Sequence, residues 1–165
     1  MRPMRRFRQE LTAEECVQVL ERGTHGVLAV LGDEGYPYAV PLSYVYRAGK
    51  IWFHCAKTGH KLDAIRKYDK VSFCVVDQDR IVPEEYTTYF RSVIAFGTAR
   101  VLEDPWEKRQ ALAALAAKYS PDQEEGRSEE IRAQFSNVTM VEFTVERMTG
   151  KEAIELVREK NPSSV

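Results

Sequence analysis

The chain has 165 residues, 44% of them hydrophobic and 30% charged, a length expected to fold as a single domain spanning residues 1–165. Lysine and arginine number 24 against 25 aspartate and glutamate, a formal net charge of -1, which argues against the whole-molecule field that gathers a basic protein onto nucleic acid. No apolar run approaches the ~20 residues a membrane helix needs, and the arginine-rich start leads into a charged helical pattern, so no membrane association and a cytoplasmic location are expected.

Thr12 followed by Glu15 is a capping-box pattern, and Val17, Val19 and Leu20 continue it as a short helix that stops near Gly23. Residues 26–31 are a short apolar strand, and GDEG at 32–35 turns it into a second strand over 36–46. There Tyr38, Val40, Leu42, Tyr44 and Tyr46 alternate with Ala39, Pro41, Ser43 and Val45, a period of two. Pro41 has no N–H for a ladder, so this strand is expected at a sheet edge or bulged, with backbone groups left free.

A third strand, 50–55, places Ile51, Phe53 and Cys55 on one face and Trp52 and His54 on the other. Lys57-Thr58-Gly59 ends it, and a helix of about two turns starts at His60 with Thr58 as the expected N-cap. Strands at 70–77 and 87–103 follow, the latter with a bend or bulge at Gly97. Asp104-Pro105 opens a helix over 105–119 with Ala111, Leu112, Leu115 and Tyr119 on one side. A polar connection, a short helix near 131–135, a strand at 138–148 and a tail starting as a helix complete the chain. Antiparallel strands with peripheral helices and no βαβ alternation predict a mainly β, α+β architecture, a barrel decorated with helices.

None of the nine glycines falls in a G-x-G-x-x-G or Walker pattern, so a nucleotide is not held in a Rossmann or P-loop manner. The three cysteines form no C-x-x-C pair and read as reduced thiols, Cys16 and Cys74 as packing residues. No hydrolase signature is present, and His54, Cys55 and His60 match no common zinc spacing, so no metal is expected.

The informative segment is FHCAKTGHKLDAI, 53–65. It ends a strand, bends through glycine and opens a helix bearing His60 and Lys61, where free N–H groups, the helix dipole and an ammonium converge on one anion. The same pattern also describes an ordinary exposed first turn. YAVPLSY, 38–44, offers a flat apolar surface with unpaired backbone groups for a planar ring, or is simply a guarded sheet edge. Arg2, Arg5, Arg6 and Arg8 form a basic cluster that either contacts phosphates or lies as a surface arm.

The MRRFR start, HGVLAV, YPYAVPLSYVY, WFHCAKTGHKLDAI and SVIAFGTARVLED, in this order and spacing, resemble the flavin-binding split-barrel proteins related to pyridoxamine 5′-phosphate oxidase. Within that group the chain looks most like the nitroimidazole-resistance, or Nim-type, proteins. The resemblance covers about 5–147, leaves 148–165 as a tail, and implies an antiparallel split β-barrel that binds FMN as a homodimer, with two clefts between the subunits. It implies that Lys61 holds the FMN phosphate, with His60 where relatives often have arginine. Val40, Pro41, Leu42, Ser43 and Tyr44 would line the ring and ribityl chain, and His54 and Cys55 would touch the cofactor. Ser92 falls where relatives bring a residue from the neighbouring subunit. His54 is the implied catalytic residue.

The arginine-histidine substrate motif of true pyridoxamine phosphate oxidases is not seen in VEFTVERMTGKEAIELVREK, which argues against vitamin B6 oxidation. The expected activity is FMN-dependent electron transfer from NADH or NADPH to a small acceptor such as a nitroaromatic. The alternative is a non-catalytic protein of the same fold holding FMN or haem; a deazaflavin is a third occupant.

Overall fold

The computed structural model describes residues 3–160. Its centre is one antiparallel sheet in the order β2-β1-β5-β6-β7-β4-β3, formed by β1 (His25–Leu31), β2 (Pro37–Ser43), β3 (Val45–Arg47), β4 (Lys50–Cys55), β5 (Lys70–Val82), β6 (Thr87–Val101) and β7 (Thr139–Glu152). The two ends of that order, β2 and β3, are joined through Tyr44 but do not pair with each other, so the sheet curls without closing: a split barrel.

Around it lie α1 (Ala13–Arg22), α2 (His60–Lys67), α3 (Pro105–Tyr119), α4 (Glu124–Gln134) and α5 (Ile154–Lys160). Helix α1 has the expected capping box: the Thr12 hydroxyl accepts from the Glu15 N–H, and the Glu15 carboxylate accepts from the Thr12 N–H. Its buried stripe of Cys16, Val19 and Leu20 packs into the barrel. The barrel core is filled by Leu28, Ile51, Phe53, Phe73, Val93 and Phe143, all wholly buried. A second cluster under α3 joins Val45, Leu102, Ala111, Leu115 and Met140.

Several boundaries differ from the sequence reading. The strand expected over 36–46 is broken: Tyr44 swings wholly into the core, separating β2 from β3, and its hydroxyl donates to the Leu20 carbonyl at 2.8 Å. The α2 cap is Gly59 rather than Thr58, with no side-chain cap bond. Helix α4 begins at Glu124, within the segment read as a polar connection, and the strands read as 70–77 and 138–148 run on to Val82 and Glu152. The edge position of Pro41 is as expected: β2 pairs only with β1, with Pro41 opposite Val27. The bulge at Gly97 is present too, and a Cβ there would collide with the Thr144 carbonyl oxygen.

Candidate functional site

The start of α2 carries a group of donors with nothing to donate to. Gly59 sits at φ +143° and ψ 161°, a region essentially reserved for glycine, and this bend aims the first turn of the helix outward. Among the described residues the N–H groups of His60 and Lys61 make no hydrogen bond, while those of Leu62 and Asp63 are taken by the Gly59 carbonyl at 2.9 and 3.2 Å. The Lys61 side chain, half-buried, has no carboxylate within 4.0 Å among the described residues. Two free amides, the positive end of a helix and an unpaired ammonium form a seat for a phosphate or similar anion.

His60 is used differently. Its ring stacks on Tyr38 with centroids 4.2 Å apart and planes 23° from parallel, and its Nε2 accepts from the Asp33 N–H at 3.3 Å. The same Nε2 lies 3.6 Å from an Asp33 carboxylate oxygen, so the ring is engaged with the β1–β2 turn rather than with the anion seat. Lys67 closes the same corner through an ion pair to Asp33 at 3.2 Å. Neither Tyr38 nor Asp33 carried a signal for this role; the contact arises only because the barrel brings the turn and α2 together.

Along β2 the expected lining residues divide by parity. Pro41 and Ser43 are exposed on the outer face, while Val40 and Leu42 are half-buried and pack toward the core. Tyr44 lines no surface, and its backbone is engaged: its N–H donates to the Tyr119 hydroxyl at 3.0 Å, and that oxygen lies 2.9 Å from the Tyr44 carbonyl. The Tyr119 hydroxyl thus substitutes for a neighbouring strand at the break between β2 and β3.

On β4 the expected alternation holds, with Cys55 buried among the core and His54 exposed. Burial pushes the Cys55 thiol above its ordinary range, against the opposing pull of Lys61 and Arg66, so it stays protonated and packs rather than reacts. The His54 ring makes no hydrogen bond to any other described residue, its backbone alone being paired in the β4–β7 ladder. Ser92 lies on β6, three strands from β2 in the sheet order, opposite Val76 and Lys151, so a single chain does not bring it beside Pro41 and Ser43. Among the described residues no group of three or more histidine, cysteine, aspartate or glutamate side chains is placed to hold a metal, and no helix is long and apolar enough to cross a membrane.

The curled, unclosed antiparallel sheet with an anion seat at the first helix after its β4 strand defines a split-barrel protein. A sequence model described as pyridoxamine 5′-phosphate oxidase matches residues 12–152, and the chain belongs to that family. Among solved structures it is similar to a candidate 5-nitroimidazole antibiotic resistance protein from Bacteroides thetaiotaomicron, 21% identical over 87% of this chain and 86% of that one, with a TM-score of 0.71. An FAD-binding protein from Mesorhizobium loti is 25% identical over 88% of this chain and 97% of that one, with a TM-score of 0.67. An FAD and haem binding protein from Mycobacterium smegmatis is 20% identical over 88% of this chain and 73% of that one, with a TM-score of 0.72. No curated protein matches the sequence significantly.

Proposed function

We propose that this protein is an FMN-dependent oxidoreductase, working as a homodimer, that passes electrons from a reduced nicotinamide nucleotide to a small acceptor of the nitroaromatic kind. The observation that carries the reading is the vacant donor set at the α2 start, where the His60 and Lys61 amides and the Lys61 ammonium have no partner among the described residues. A phosphate ester satisfies all three, and the exposed outer edge of β2 at Pro41 and Ser43 supplies a flat surface beside an unpaired strand edge. The flavin, when bound, supplies the redox chemistry; the protein supplies position and field. His54, exposed and unbonded, is free to hand a proton to the acceptor.

The dimer has its own support. Pro41, Val27, Cys74, Ile94 and Thr149 form one row across five strands on the outer face of the sheet. Around it Val27, Leu31, Val76 and Ile94 are exposed, an apolar patch of the sort a monomer rarely leaves uncovered. A second copy laid on this face would bring Ser92 of each chain toward the other. Three unpaired cysteines suit a reducing compartment, and we place the protein in the cytoplasm.

The test is the absorption spectrum of the purified protein followed by rapid mixing with NADH and NADPH. A flavin spectrum that bleaches with either donor is expected. A flavin or haem spectrum with no bleaching favours the binding role, which the FAD and haem binding neighbour makes a concrete second reading. A colourless protein that takes up no added FMN overturns both.

A further inference from the structure

The segment before α1 is pinned along the end of β7. Beyond Thr144, β7 no longer has β4 beside it, and the N-terminal segment takes up the vacant edge: Glu10 bridges to Lys151, and the Leu11 N–H donates to the Gly150 carbonyl at 2.9 Å. Gln9, buried, donates from Nε2 to the Glu152 carbonyl at 3.0 Å, and Arg6 donates to its Oε1 at 3.4 Å. This fixes the backbone of a basic arm over a hollow of about 480 Å³ lined by Met4, Arg5, Arg6, Gln9, Phe90 and Lys151.

The charges in that hollow are unusual for this side of the molecule. Nearby, Arg22 is paired with Asp77, Arg91 with Asp77 and Glu152, and Lys160 with Glu15 and Glu152. Arg5, Arg6 and Lys151, by contrast, have no carboxylate within 4.0 Å among the described residues. The Lys151 ammonium lies 5.3 Å from the centre of the Phe90 ring, and both side chains line the hollow. Three cations with no carboxylate within 4.0 Å among the described residues, Lys151 being the bridge partner of Glu10, stand beside an apolar wall made by Met4 and Phe90.

We propose that this hollow is a second binding site, for a nucleoside diphosphate: the cations take the two phosphates and the methionine and phenylalanine take the base. A concave site with three charges suits a small ligand, and the chain's net charge of -1 disfavours a nucleic-acid surface. The site goes beyond the flavin reading and stands without it. It also gives that reading a place for the ADP half of a dinucleotide donor, because Phe90 is two residues from Ser92, and Lys151 is paired with Ser92 across the β6–β7 ladder.

Calorimetric titration of the full-length, flavin-loaded protein with ADP, adenosine and pyrophosphate tests the assignment. ADP is expected to bind once per chain and more tightly than either fragment, and Lys151→Ala and Arg5→Ala should each weaken it about tenfold with unchanged melting temperature and flavin content. Arg5 lies on the exposed arm, so its variant remains informative if Lys151→Ala does not fold. Lys61→Ala protein, with its flavin seat disabled, should still bind ADP, which separates the two sites. The proposal is overturned by no binding at millimolar ADP, by affinity unchanged in both variants, by ADP displacing FMN one for one, or by pyrophosphate or single-stranded DNA binding as tightly as ADP.

Discussion

His60 and Lys61 are consecutive, yet one is spent on structure and the other is free. If Lys61 and the two amides form the phosphate seat, Lys61→Ala should weaken FMN binding about tenfold or more, since a charge-assisted bond contributes roughly 1.5–3 kcal/mol. His60→Ala should change it less than about threefold, because that ring faces Asp33 and Tyr38; flavin fluorescence titration of both variants checks the contrast. The position of Lys61 was legible from the strand-glycine-helix spacing alone. The direction of His60 was not, because it depends on a tyrosine and a turn that only the folded barrel delivers. Glu142 was equally hidden: in an alternating strand it reads as solvent-facing, but it is buried beneath Lys50, Trp52 and Arg100. Burial raises its carboxyl, but hydrogen bonds from Lys50 at 2.8 Å, Trp52 at 3.0 Å and Arg100 outweigh that and hold it below the ordinary carboxylate range. A depressed native pKa adds stability that is present above the unfolded-state value of about 4.3 and is lost as pH falls through the native one. Glu142→Gln should therefore cost about 1–3 kcal/mol at neutral pH, and the difference from the parent should shrink in denaturation series carried out at progressively lower pH.

At the scale of elements, the Thr12 and Asp104 caps and the Gly97 bulge were legible because they rest on local chemistry, a side-chain oxygen three residues before a carboxylate or a glycine inside a strand run, whereas the α2 cap fell on Gly59 instead of Thr58. The break at Tyr44 was not. A period-two pattern runs unbroken through 38–46, and nothing local reveals that the hydroxyl of Tyr119, some 75 residues on, will satisfy the Tyr44 backbone in place of a strand. Tyr119→Phe should lower stability by about 1–2 kcal/mol in chemical denaturation, leaving a buried N–H without its acceptor. Gly59→Ala separates strain from crowding: a Cβ there meets nothing within 4 Å, so the cost of about 1–3 kcal/mol comes from φ alone. That variant should also weaken FMN, because relaxing the bend turns the α2 amides away from the anion they are proposed to hold.

For the whole molecule, the class of architecture followed from turn spacing and the lack of βαβ alternation, but the sheet order did not. The β1–β2 hairpin announces itself, whereas the pairing of β4 with β7 joins segments roughly ninety residues apart and leaves no mark on either. The uncovered outer face yields the prediction at this scale. Sedimentation should find a dimer at micromolar concentration, and Ile94→Glu should give a folded monomer that no longer retains FMN. The same topology bears on how the chain is made. Because β7 is inserted between β6 and β4, the short β3–β4 hairpin has no lasting neighbour until β7 has been synthesised after it. Its Ile51 and Phe53 must wait in the open, so a chaperone that binds exposed apolar segments should be found on this stretch during translation and should leave once β7 has paired with β4.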